Sequence, residues 1–459
     1  MRTRLFIMMV LQFFIWGAWY PLIFGYLPSL GFSPSEQAWI LNTFPIAAII
    51  GMFFSNQFAD RNFSAERFLA FSHLVGGLAI IAVAFIKAPE AAPQAAAAAG
   101  GPGQSPIFWP FFLLMLVHCG LYVPTISITN SIAFANMKDA KKEFGIVRMG
   151  GTIGWIMAAW PFTFILVDWA AVEAANPQGF RNWLGTVLGS GLTGPALQQG
   201  TKWTLIVAGV ASLVLAVYSL TLPHTPPKKV EAGAPQKLAW VEAGKLLAIP
   251  FILVLWIVTF VDAGVHQLYF NWTGRFLGTA EAAGGVGIPG NWIMPVMSVG
   301  QIAEILTMLV LGVTLKTLGW RKTMMVGILG HAVRFAVYAF YPQSATVIVV
   351  VQILHGICYA FFFATVYIFV DEFFPKDARA SAQGLFNLMI LGLGPLAANF
   401  VGPMLIGSTF LRPDGNVDFK GLFLVPCGAA IVAAIALALF FRPPEDKKSA
   451  MAGQPALAH

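Results

Sequence analysis

The sequence predicts an all-α membrane protein of twelve transmembrane helices, arranged as two pseudo-symmetric sets of six. Three observations carry that expectation. Of 459 residues, 58% are hydrophobic and only 10% are charged. A soluble domain carries about 25% charged residues, so these ionisable groups are too few to cover a water-facing surface. The 40 Phe and 14 Trp suit lipid and the headgroup boundary, where aromatic rings collect. Apolar runs long enough to cross a bilayer, about 20 residues each, then recur along the whole chain. A soluble enzyme, a DNA-binding protein and a disordered scaffold are all excluded.

The first run, 5–27, follows Met1-Arg2-Thr3-Arg4. It is longer than a secretory apolar region and no small-residue cleavage pattern follows it, so a retained span is expected. Runs at 36–58, 66–87, 107–136, 146–167 and 202–222 complete the first six. The second six lie at 248–273, 291–315, 322–341, 344–370, 381–406 and 420–441. These segments are continuously apolar rather than alternating, which excludes a transmembrane β-barrel. Runs above the minimum length imply tilt or extension past the bilayer. Residues 88–106 form a low-complexity external loop, 223–247 a Pro-rich basic linker, and 443–459 a polar tail. The expected units are therefore a six-helix bundle at 1–222, the cytoplasmic linker, a second bundle at 248–442, and a cytoplasmic tail.

Lys and Arg set the orientation. With the N-terminus inside, 20 of the 27 cations fall in cytoplasmic segments, six in external ones, and Arg334 within span nine. That asymmetry places both termini in the cytoplasm. It also accounts for the net charge of +7 without a nucleic-acid partner. Cys119, Cys358 and Cys427 lie in apolar runs, so neither a disulfide framework nor a metal cluster is expected.

The halves echo one another. Ala59-Asp60-Arg61 follows span two, and Leu318-Gly319-Trp320-Arg321-Lys322 follows span eight. Arg148 and Arg379 open spans five and eleven. Any cytoplasmic loop gathers cations, so the matches are weak singly. With twelve spans and a central linker they fit two rocking halves around a midplane site, a 6+6 pseudo-symmetric major facilitator fold.

Polar groups inside spans are costly and mark function by default; those at i, i+3, i+4 and i+7 share a helix face. Span five carries Arg148, Thr152 and Trp155 on one face, although Arg148 at a helix end can equally snorkel to the surface. Span seven has two such pairs, Asp262 with His266 and Gln267 with Asn271. Amides donate and accept at once, which suits a neutral ligand with mixed hydrogen-bonding edges; the plain alternative is glue between helices. Span eight carries Gln301 and Glu304, and a mid-membrane Glu is the sharpest signal in the chain. Such a carboxyl is a candidate for taking up and releasing protons, or else the acidic half of an ion pair with Arg148 or Arg334. Span nine has His331 and Arg334, and span ten has the stripe His355, Tyr359, Phe362 and Phe363. Gln12, Trp16 and Trp19 on span one, with His118 and Asn130 on span four, complete the inventory. No phosphate-binding loop, His-Glu-x-x-His or Gly-x-Ser-x-Gly occurs, so neither an ATP-driven pump nor an enzyme is supported and no cofactor is expected.

Several stretches resemble the nucleoside:H⁺ symporter family of the major facilitator superfamily, the bacterial inner-membrane nucleoside permeases. They are Leu11-Gln12-Phe13 with Trp16-Gly17-Ala18-Trp19; Ala59-Asp60-Arg61; Pro124-Thr125 with Asn130; and Arg148 with Gly151-Thr152-Ile153-Gly154. Met297-Ser298 with Gln301 and Glu304, and Arg379-Ala380-Ser381-Ala382-Gln383-Gly384, continue the series in order. The resemblance implies a nucleoside site between the halves, with protons and the lipid bilayer as further partners. Family positions of binding role fall on Arg148, Thr152, Trp155, Gln267, Gln301, Glu304, His355 and Tyr359. Spacing adds Asn271 and Phe363 as candidates.

Two departures stand out. A family Asn expected three residues after Gln267 is Phe270 here, with Asn271 one step on. An acidic residue expected after the Tyr359 position is Ala360. Proton coupling is therefore open between Glu304, Asp262 and His266, and so is a facilitator. A sugar or another polyhydroxylated metabolite stands as the alternative cargo.

Overall fold

The computed structural model describes residues 1–51, 63–87, 103–138, 140–227, 244–374 and 379–443. Nine of its helices are long and apolar enough to cross a membrane, by length and composition. One of them, Gly290–Phe340, covers both span eight and span nine: its chain turns at Gly319, where φ is 73°, a backbone angle that glycine adopts without the steric cost a Cβ brings. The 20-residue helix Ala140–Ala159 covers span five, and span two is described as far as residue 51. The Ala59-Asp60-Arg61 loop lies outside the described residues, as do most of the 88–106 loop, most of the linker and residues 444–459.

Local chemistry fixes the helix starts. Span two opens on Pro34 behind a capping box in which the Ser33 hydroxyl accepts the Glu36 N–H and the Glu36 carboxylate accepts the Ser33 N–H. These bonds satisfy two of the amides that every helix start leaves unpaired. The other Glu36 oxygen accepts the Ser105 N–H at 2.8 Å, anchoring the loop before span four. Span one carries Pro21 and Pro28 within its 28 residues, tolerated because neighbouring helices can satisfy the freed backbone groups. Spans ten and eleven both contain π-helical turns, Tyr359–Ala364 and Leu388–Leu393, a distortion that tends to accompany functional sites.

In the first half, span one (Arg2–Ser29) packs on span five and span six (Lys202–Ser219), and span three (Ala65–Val83) packs on span four (Phe108–Asn136) and span six. Small residues permit this: a Cβ added at Gly154 would collide with the Val10 carbonyl oxygen. In the second half, span seven (Pro250–Gly278) packs on span eleven and span twelve (Phe419–Phe440), while spans eight and nine pack on spans ten and twelve. The halves meet along spans one and seven, two and eleven, and five and eight.

Among the described residues, the hydrogen bonds joining the halves cluster at one end, away from the N-terminus. Tyr20 donates to Gln267 at 2.8 Å, and the Asn399 amide donates to the Leu41 carbonyl at 3.1 Å. Beyond them lies a segment between spans five and six that has no apolar run long enough to cross a bilayer. Residues 169–200 form three short helices, Trp169–Ala175, Phe180–Gly189 and Gly194–Gly200. The Leu188 carbonyl accepts from both the Asn291 amide (3.3 Å) and the Trp292 indole (2.8 Å), and the Gly290 N–H donates to the Leu192 carbonyl. This segment plugs the end of the seam.

Candidate functional site

On span five Arg148, Thr152 and Trp155 are all half-buried, and Trp155 lines the seam. The Arg148 guanidinium sits 4.3 Å above the Phe13 ring, a cation–π contact. Trp155 meets Trp16 edge-on at 5.0 Å and Phe270 at 6.0 Å, and Trp16 stacks on Phe44 at 4.8 Å. Rings from both halves thus form one continuous wall.

Opposite stands span eight. A cavity of about 10 Å³, lined by Gly17, Trp155, Phe270, Met297 and Gln301 among others, is room for about one water. The Gln301 carbonyl oxygen is buried with no hydrogen-bond partner, and so is the Trp16 indole N–H. One acceptor and one donor are therefore left over beside the seam, in a protein interior where such groups are normally satisfied. Glu304 lies three residues beyond Gln301, half-buried, with no ion pair among the described residues. Glu304, Tyr359 and Tyr367 all lie within electrostatic reach of Arg148.

The other predicted residues divide into two groups. Gln267 and Asn271 do share a face, since the Gln267 amide donates to the Asn271 oxygen at 2.9 Å. Both amides also bond Asn399, at 2.9 and 3.3 Å, so they belong to the inter-half bonding at Tyr20 and Leu41. Asp262, His266 and His355 fall in a cluster inside the second half. Its centre is Arg334, fully buried, bonded to His331 Nδ1 at 2.8 Å and His355 Nδ1 at 3.0 Å. The guanidinium also lies 4.0 Å from the Tyr269 ring centroid. Asp262 Oδ2 is 3.8 Å from His331 Nε2, and His266 stacks on His355 at 4.9 Å. The span-ten stripe is split as a result. His355 points into the cluster, Phe363 packs on His266 at 5.1 Å, and Tyr359 is the half-buried member.

Tyr20, Asn399, Asn291 and His73 were not reached from the sequence. Asn399 sits alone among Gly, Pro and Ala, with no helical-spacing partner to draw attention. His73 bonds Gln12 and Ser212, both at 2.9 Å, in contacts 61 and 139 residues apart that no local pattern reveals. The three cysteines are free and buried.

Comparison with known proteins follows the same lines. A family described as Nucleoside H+ symporter matches residues 1–180 and 187–446. The Escherichia coli (strain K12) protein YegT is 29% identical over 98% of this chain and 96% of its own. The Xanthosine permease of the same organism is 25% identical, covering 96% of each. A crystal structure of the nucleoside transporter NupG, in a mutant form, superposes with a TM-score of 0.75 at 24% identity, over 96% of this chain and 100% of that one. A D-xylose-proton symporter superposes at 0.65 and 14% identity, over 96% of this chain and 98% of that one. These two likenesses establish the major facilitator fold.

Proposed function

The chain belongs to the nucleoside H⁺ symporter family, and from that premise we propose that it carries nucleosides across a bacterial inner membrane by alternating access, driven by proton symport. The single observation that supports the site best is the seam at Trp155 and Gln301, where an aromatic wall faces an unpartnered amide oxygen. A nucleoside needs those two things: a ring to stack its base on, and amide groups to meet the base edge. Arg148 and Glu304, facing one another across the seam, supply charged groups for ribose hydroxyls. Thr152 and Tyr359 complete the inner wall. Gln267 and Asn271, in the inter-half bonding, and His355 and Phe363, in the second-half cluster, are the remaining candidates.

Both termini lie in the cytoplasm on this reading, so the plugged end is external and the structure is in its outward-sealed state. The moving bodies are 1–222 and 248–442, joined by the linker 223–247 and followed by the tail 443–459. The test is uptake of labelled uridine and adenosine by proteoliposomes, with and without an inward proton gradient. Accumulation above equilibrium only with the gradient is expected. Uptake of neither nucleoside refutes the cargo, and equilibration that ignores the gradient refutes the coupling.

A further inference from the structure

The two halves carry the same constellation in two chemical versions. Gln12, Trp16, Trp19 and Tyr20 on span one recur 250 residues later as Asp262, His266, Tyr269 and Phe270 on span seven. Their partners correspond as well. In the first half, Gln12 Oε1 lies 2.9 Å from His73 Nε2, and His118 Nδ1 bonds the Gly76 carbonyl at 2.9 Å. In the second half, Asp262 faces His331, and His355 Nδ1 bonds Arg334. Gly76 lies three residues after His73, and Arg334 three after His331. Even the rings agree: Trp19 packs on His118 at 5.8 Å, and Tyr269 on His355 at 4.6 Å. The first version is neutral, built from an amide and a backbone carbonyl. The second puts a carboxyl and a guanidinium in those places.

Hydrogen-bond accounting shows where the charged version is incomplete. A guanidinium only donates, so Nδ1 of His331 and of His355 must both accept. Each neutral imidazole then keeps its hydrogen on Nε2, and His331 Nε2 lies 3.8 Å from Asp262 Oδ2. Neither imidazole can gain a proton at Nδ1 without breaking its bond to Arg334. Asp262 is under no such constraint. Both its oxygens are buried and unpartnered, as are His331 Nε2 and Arg334 Nε. Gln12 is bonded at both ends, to His73 and to Thr125. At this one position the second half leaves open, on Asp262, what the first half satisfies on Gln12.

We infer that Asp262 is the group that takes up and gives back the transported proton, with the His331 imidazole beside it and Arg334 linking His331 to His355. This rests on the symporter reading. The proton arrives from bulk water, forms an O–H bond on one carboxyl oxygen and leaves by the same bond. The Asp262–Arg334 pair changes from neutral to singly positive in the process. The titratable and charged groups that act on Asp262 are His331 and Arg334 from span nine and Cys358 from span ten, with His355 bonded to Arg334 and His266 packed on His331 and His355 behind them. Spans eleven and twelve present Gly394 beside Ala263, and Cys427 beside the Ala332 carbonyl. The link to substrate is short: His355 packs against Gly300, next to Gln301, and Gly356 packs against the Glu304 backbone. Ala360, at the expected acidic position, instead joins a small apolar cluster with Leu311, Phe361 and Ala364.

The test compares wild type, Asp262→Asn and Asp262→Glu, full length in proteoliposomes, by two uridine assays. Counterflow at equal pH reports substrate exchange alone. Accumulation under a one-unit pH gradient reports coupling, with about tenfold the limit for one proton. Asp262→Asn is expected to keep counterflow and to lose accumulation, its ratio falling to unity. An Asn variant that accumulates like wild type overturns the inference, as does wild type that exchanges uridine but never concentrates it. If Asp262→Asn does neither, Asp262→Glu decides: a displaced pH profile of uptake supports the assignment and an unchanged one overturns it. Wild type inert in both assays, with every nucleoside tried, counts against the cargo reading instead.

Discussion

Tyr20→Phe isolates the seal at the plugged end of the seam. Its hydroxyl makes a single 2.8 Å bond across the seam to the Gln267 oxygen, and the ring contacts with Trp16, Phe24 and Phe270 survive the change. Gln267 is buried and its nitrogen is already committed to Asn271 and Asn399, so its oxygen is left without a donor. A buried acceptor so orphaned costs about 1–3 kcal/mol. In a state open at that end, water restores the bond and the cost vanishes. The equilibrium between the sealed form and one open at that end should therefore move by about 5- to 150-fold toward opening. Paired spin labels at Gln199→Cys and Leu411→Cys, both exposed positions at the plugged end, read this as a longer inter-label distance. The buried native cysteines stay out of the labelling. A distance distribution identical to that of the parent double-cysteine protein refutes the reasoning, because it means the bond does not distinguish the two states.

Arg148→Ala should raise the uridine dissociation constant by about 10- to 150-fold, the worth of a hydrogen bond to a charged group; calorimetry in detergent checks it, and an unaltered constant removes Arg148 from the site. Glu304→Gln should weaken binding while leaving the gradient-driven accumulation ratio intact, since the proton resides elsewhere; a ratio that collapses to unity returns the coupling role to Glu304. Gly154→Ala drives a methyl group into the Val10 backbone oxygen, and overpacking of this kind costs about 1–3 kcal/mol. The thermal midpoint of the purified protein should fall, and an unchanged midpoint would show that spans one and five can part.

What the sequence revealed and what it hid follow from how far each feature reaches along the chain. Span positions were legible because hydrophobic length is a local property, and the Gln267–Asn271 bond because four residues make one helical turn. The part Gln267 and Asn271 play in the inter-half bonding was not legible: it depends on Asn399 and Tyr20, 128 and 247 residues away. Arg334 stood as a candidate partner for Glu304, yet its fork is spent on two histidines. The 250-residue echo between spans one and seven was present in the letters, but Gln against Asp and Trp against His conceal it until their partners are seen in the same places. The plug at 169–200 escaped because it is neither apolar enough for a span nor polar enough for an open loop.

That plug has a pharmacological side. Its grip on the second half consists of main-chain carbonyls at Leu188 and Leu192 receiving donors from Gly290, Asn291 and Trp292, while Phe180 on the same segment is 75% exposed. An antibody fragment that clasps the Phe180 helix against span eight would brace the door shut. Such a molecule would arrest the carrier without resembling its cargo, and no abundance of nucleoside would compete it away.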